Sequence, residues 1–200
     1  MNIYPELLTT LIEYFKKLPG IGERTAERYA LAMITLPEEE LVDFAGAIKS
    51  IKSTLHTCEI CGHLTDKPIC DICSDQARNH NLICVVEDYK SIFMFEKTGK
   101  YAGTYHVLNG LISPIDGINP DDLNISALVK RCKELKNAEV IIALKPTIEG
   151  DTTTLYLKKI LANENIKISR LSYGIPMGAE IDYLDVMTLE RALYDRKEIE

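Results

Sequence analysis

Four cysteines stand as Cys58-x2-Cys61-x8-Cys70-x2-Cys73. Two thiolates two residues apart can face one ion, and two such pairs supply the four soft ligands of a closed tetrahedral zinc site. Such a site has no open coordination position, so the metal expected here is structural Zn2+, one per chain. The eight-residue gap leaves room for a compact hairpin around Lys67-Pro68. A redox CxxC and four unrelated buried cysteines are the competing readings, but a redox dithiol needs only one pair. His56 and His63 are near enough to be alternative ligands; beside four cysteines they read as bystanders.

A second site is offered by Leu18-Pro19-Gly20-Ile21-Gly22, between two helical patterns. Glycines at Gly20 and Gly22 permit a tight turn and leave backbone N–H groups free at the start of the next helix, where anions such as phosphate bind. Arg24 and Arg28 lie four apart and share a face of that helix, while Lys16 and Lys17 close the helix before the turn. A plain helical hairpin with solvated bases is the bland alternative. The longer run LPGIGERTAERYA, with small Ala26 where two helices must approach, resembles the helix-hairpin-helix element that grips DNA backbones without regard to sequence.

The third constellation is acidic. Glu87 ends the run LICVVE, and Glu149-Gly150-Asp151 follows AEVIIAL by a short loop, so all three carboxylates are expected at the carboxyl edge of one parallel sheet. Ligands bind at that edge in open α/β sheets. Carboxylates converging there would repel one another, and either Mg2+ or a basic partner surface would relieve the repulsion. Unrelated loop acids remain the alternative on spacing alone.

The elements that must position these groups fall into zones. Leu7, Leu8, Leu11, Ile12 and Phe15 recur at helical spacing, a second run carries Ala26, Tyr29, Ala30 and Met33 to a stop at Pro37, and a third helix opened by Glu38 to Glu40 places Leu41, Phe44, Ile48, Ile51 and Leu55 on one stripe. Residues 58–78 are poor in apolar side chains and need a metal staple to fold. From residue 82 strand and helix alternate: LICVVE, YKSIFMFEK, GTYHVL, a helix from about 125 to 136, AEVIIAL, a helix from about 152 to 163, and IKISRLS. Apolar strands separated by amphipathic helices imply a parallel sheet covered on both faces, with Cys84 and Cys132 in its core. A Gly/Pro loop, YGIPMGAEID, precedes a short last helix with Val186, Leu189, Leu193 and Tyr194.

Thirty acids against 23 bases give a net charge of −7, which excludes a globally basic nucleic-acid binder but not a local cationic patch. The opening MNIYPELLTT has neither the basic nor the apolar region of an export signal, and no apolar run reaches the length of a membrane span, so a cytoplasmic, nucleoid-associated protein with reduced or metal-bound cysteines is expected.

The order of these motifs, a helix-hairpin-helix, a four-cysteine knuckle, a strand ending in glutamate and a later acid-Gly-acid loop, resembles the RecR family of bacterial recombination mediators. The likeness extends to YGIPMGAEIDYLD, which is similar to the family's loop before its last helix. It implies an α/β fold with an N-terminal DNA-binding helical domain at 1–57, a zinc finger at 58–78, a Toprim-type parallel α/β domain at 79–175 and a C-terminal tail and helix at 176–200. It further implies a non-enzymatic mediator, assembled as dimers and ring-like tetramers, that binds DNA and acts with RecO, and in some settings RecF, to load RecA. Carried over by position, the family's basic pair falls on Arg24 and Arg28, beside the Gly20, Gly22, Lys16 and Lys17 read above as DNA contacts, the zinc ligands on Cys58, Cys61, Cys70 and Cys73, and the Toprim acids, for a partner or Mg2+, on Glu87, Glu149 and Asp151. Glu23 stands where the family often has proline, beside the phosphate site, and Asp151 replaces a frequent glutamate. A Mg2+-dependent Toprim nuclease is the rival class; a topoisomerase would need a tyrosine-bearing domain for which residues 1–78 leave no room.

Overall fold

The structure, a computed structural model, describes residues 3–135, 137–162, 166–172, 174–196 and 198. The chain divides into two compact units, Met1–Thr54 and Leu55–Glu200.

In the first unit α1 (Glu6–Lys16) and α2 (Glu23–Met33) form the expected hairpin. Leu8 and Ile12 of α1 meet Ala26 and Ala30 of α2, and all four are buried. Methyl side chains four apart on α2 keep that face low enough for α1 to pack closely. The next helix, α3 (Glu38–Thr54), buries none of its residues. Its apolar stripe is present at the expected spacing, yet Phe44, Ile48 and Ile51 are 44%, 57% and 54% exposed.

In the second unit the short strands β1 (His56–Thr57) and β2 (Leu64–Thr65) pair antiparallel and are followed by the single turn α4 (Asp71–Ser74). Alternation then begins: β3 (Asn79–Val86), α5 (Tyr89–Lys97), β4 (Gly103–Val107), α6 (Ile125–Glu134), β5 (Glu139–Ala143), α7 (Ile148–Leu161), β6 (Lys167–Arg170) and α8 (Val186–Tyr194). The four long strands form one parallel sheet in the order β4-β3-β5-β6. Side chains alternate across it. Ile83, Val85, Val140 and Ile142 face α6 and α7, whereas Cys84, Val86, Tyr105 and Val107 face α5 and Ile72 of α4. Cys84 and Cys132 therefore lie in separate apolar clusters as core residues, and burial pushes the Cys84 thiol up to about 12. Both faces are filled along β4 and the Ile83–Val86 half of β3, while β6, on the sheet edge, stays half open. Among the described residues no helix is long and apolar enough to cross a membrane.

The outer edge of β4 is sealed by side chains and by the knuckle. Arg131 of α6 donates to the Tyr105 carbonyl and to Thr104 Oγ1, both at 2.6 Å, and the Val107 amide donates to the Cys61 carbonyl at 2.8 Å. His106, fully buried, completes the seal by donating from Nε2 to the Asn124 carbonyl oxygen at 2.7 Å. Desolvation, with Arg131 nearby, holds its pKa down to about 4 from 6.5. The unfolded chain thus takes up a proton near pH 6.5 that the folded chain refuses until about pH 4. Stability from this residue is full above 6.5 and falls as the pH drops through that window, by about 3 kcal/mol in total. Urea midpoints at pH 7, 5.5 and 4.5 should decline more steeply for the native protein than for His106→Gln, which keeps a donor but does not titrate; parallel declines would refute the assignment.

Candidate functional site

The first half of the zinc knuckle is shaped by backbone bonds. The Cys58 amide donates to the His63 carbonyl at 2.7 Å and the Gly62 amide to the Cys58 carbonyl at 2.9 Å, closing a tight turn at whose end Gly62 adopts φ +76°. That left-handed conformation suits glycine. The hairpin of this region is β1–β2, around the first cysteine pair; Lys67-Pro68, where the spacing predicts it, is instead a turn held by the Lys67 amide on Thr65 Oγ1 at 3.1 Å. Cys70 and Cys73 bracket the start of α4, a single turn that brings both sulfurs round to one side.

All four sulfurs lie within 4.8 Å of one another and are buried, the one such cluster of potential metal ligands among the described residues. The Cys61 and Cys70 sulfurs are 3.6 Å apart, close to the ~3.8 Å edge of a tetrahedron built on ~2.3 Å Zn–S bonds. Two amides point at sulfur, His63 N at Cys61 Sγ (3.4 Å) and Cys70 N at Cys58 Sγ (3.3 Å), the kind of support a thiolate receives. The crowded thiols perturb one another: hydrogen bonds to Cys70 and Cys73 push the Cys61 thiol up, while Cys70 is pulled down by accepting from Cys61 and then Cys73. A divalent cation resolves this, and the donor set fits structural zinc, held by Cys58, Cys61, Cys70 and Cys73. His63 is no ligand; its ring packs edge-on against Phe93 of α5, centroids 5.0 Å apart.

In the hairpin, Gly20 takes φ +79° and Gly22 is the extended residue capping α2, with no side-chain cap hydrogen bond. Arg24 and Arg28 are exposed on α2, Arg28 resting over the Tyr29 ring at 5.7 Å, and exposed Lys17 lies over Tyr14 at 4.7 Å. Lys16 differs from its neighbours. Its ammonium bridges Glu23 at 2.7 Å and Glu13 at 2.9 Å, and those two carboxylates, Glu23 first, raise its pKa. Glu23 thus occupies one of the expected DNA-facing cations.

The acidic edge corrects two expectations. Glu149 and Asp151 do not lie in a loop before a helix at 152; they form the first turn of α7, which starts at Ile148 because the Thr147 hydroxyl accepts from the Gly150 amide at 3.2 Å. Carboxylates are favoured there by the helix dipole. Gly150 is required between them, since a Cβ would overlap the Lys145 carbonyl oxygen. Nor, among the described residues, do Glu87, Glu149 and Asp151 form a joint metal-ligand cluster. Glu87 instead pairs with Lys145 at 3.0 Å, and Asp151 with Arg191 of α8 at 2.8 Å. Glu149 is held below the usual carboxylate value by its own backbone N–H and then by Thr147, with Lys145 helping and Asp116 opposing. Lys145 and Arg191 are the residues that motif reading overlooked. Lys145 was within reach, four residues before Glu149; Arg191 lies 40 residues from Asp151 and carries no local signal.

A helical hairpin with exposed arginines beside its glycine turn, a four-cysteine knuckle that fits zinc and a parallel sheet with acids at its carboxyl edge define a modular α/β protein. Models of known families match these parts in succession: RecR helix-hairpin-helix over residues 8–52, RecR four-cysteine zinc finger domain over 55–75, Toprim domain over 81–172 and RecR C-terminal over 174–197. The chain belongs to the RecR family, and with that family to the DNA-binding proteins of recombination and repair.

Proposed function

We propose that the chain is a non-enzymatic recombination mediator, which acts with RecO, and in some settings RecF, to load RecA on gapped or single-stranded DNA in the cytoplasm. In this reading residues 1–57 hold DNA through Arg24, Arg28, Lys17 and the amides of the Gly20–Gly22 turn, residues 58–78 carry zinc, residues 79–175 meet the protein partner, and residues 176–200 serve assembly. The observation that carries the choice of mediator over Mg2+-dependent nuclease is the state of the acidic edge. Glu87 and Asp151 each hold a basic side chain of the chain itself, not a shared centre. An edge that accepts ammonium and guanidinium groups suits a basic protein surface.

Assembly follows from charge. A protein of net charge −7 with few clustered bases binds a polyanion weakly as a single copy, and a ring that sums several hairpins overcomes this through effective concentration. The open stripe of α3 and the exposed apolar side chains Ile175, Met177 and Ile181 of the tail are the surfaces proposed to close it. Labelled gapped DNA incubated with the protein and Mg2+ should remain intact, and immobilised protein should retain RecO. Cleavage that is lost in Glu87→Gln would establish the nuclease instead.

A further inference from the structure

Three turns meet at the carboxyl edge of the sheet. Strand order β4-β3-β5 places the segments after these strands side by side, and hydrogen bonds lock them: the Gly110 amide donates to the Glu87 carbonyl at 3.2 Å, and the Ile112 amide to Thr153 Oγ1 of α7 at 2.9 Å. Beyond Ile112 the chain forms a small finger. Ser113 and Ile118 exchange both backbone bonds, at 3.0 and 2.9 Å, Gly117 donates to the Pro114 carbonyl at 3.3 Å, and Ser113 Oγ donates to Asp116 Oδ2 at 2.6 Å. The tip is Ile115, 95% exposed. On the neighbouring turn Ile148 is 81% exposed at the start of α7. Each isoleucine is followed by an acid, Asp116 and Glu149, and these two carboxylates are near enough to feel each other's charge.

Single exposed apolar residues are ordinary. Two isoleucines on adjoining, hydrogen-bonded turns, set among Glu87, Asp88, Asp116 and Glu149 with Lys145 paired to Glu87 as the cation between them, are a patterned surface that stays net acidic. Its carboxylates repel phosphate, so nucleic acid does not fit it. Because the turns are already fixed, little conformational entropy is lost when they are covered. We propose that Ile115 and Ile148 are the apolar anchors of a protein-docking surface at this edge, and that its partner is a basic amphipathic segment whose apolar side chains cover the two isoleucines while its lysines and arginines meet the surrounding carboxylates. The proposal rests on the partner-binding role given above to the Toprim acids and adds the residues that supply affinity there.

Full-length Ile115→Ser, Ile148→Ser and the double variant should be titrated against purified RecO from the source organism at 50 and 300 mM salt, with Glu149→Gln alongside. Burying one isoleucine supports a change of about tenfold, so the single variants should bind about tenfold and the double variant about a hundredfold more weakly, at both salt concentrations. Loss in Glu149→Gln should shrink at high salt, as expected of a screened charge. DNA affinity and oligomer mass should match the native protein in the isoleucine variants. Binding of the double variant within twofold of native overturns the docking surface and leaves the partner role of the acids standing. A native protein that binds no RecO overturns both. A fall in oligomer mass with RecO binding intact overturns the proposal in favour of a contact between copies.

Discussion

Replacing Cys70 by serine is expected to remove the zinc and unfold residues 55–75. Cys70 carries a sulfur 3.6 Å from that of Cys61 and ends the loop that joins the two cysteine pairs, so three ligands remain with little apolar core to hold them. Structural zinc sites of this kind supply about 10 kcal/mol or more of apparent binding free energy, which is also folding free energy. The damage should spread beyond the knuckle, because the Cys61 carbonyl caps Val107 at the edge of β4 and Ile72 packs into the cluster beneath α5. Elemental analysis should find one zinc per native chain and close to none in the variant, and hydrogen exchange should rise at Val107 as well as in residues 55–75. A variant that retains a full equivalent of zinc, or native protein purified without chelator that contains none, would contradict the site.

The second large effect is expected at the hairpin. Arg24 and Arg28 stand exposed on α2 and, among the described residues, make no ion pair of the kind that engages Lys16. Replacing both by alanine removes about two phosphate contacts per chain and should flatten the dependence of log K on log salt by about 1–2 units, at ~0.7–0.9 per contact. In an oligomer the loss multiplies across copies. The pair Glu13→Gln and Glu23→Gln together should act in the opposite direction, since both carboxylates hold Lys16 and only their joint loss releases it, steepening the slope by about one contact. Fluorescence anisotropy across a salt series reads both; an unchanged slope in the double arginine variant would place the DNA surface elsewhere.

Much of this was legible because it is local. Cysteine spacing reports a ligand set, since two residues between thiols is the reach of one turn. Continuous apolar runs such as Leu82–Val86 report strands buried on both faces, and a period of three to four reports α6 through Ile125, Leu128 and Cys132. Even the start of α7 was accessible: Pro146 disfavours helix just before it, and Thr147 stands three residues ahead of the Gly150 amide it caps. The boundary at 152 missed this because the acids and Gly150 read as a loop.

The sequence by itself determined the order of modules, the identity of the metal ligands, the strand-helix alternation and the residues of the hairpin turn, because each motif is written within about fifteen neighbouring positions. Tertiary structure alone decided what the charged groups do. Glu87 meets Lys145 across 58 residues and Asp151 meets Arg191 across 40, because parallel strands collect their following loops at one edge and α8 returns to that edge. No periodicity encodes such a meeting. The same holds for α3, whose apolar stripe is plain in the sequence but lies open in the single chain: periodicity tells which side chains share a face, and only packing tells whether anything covers it.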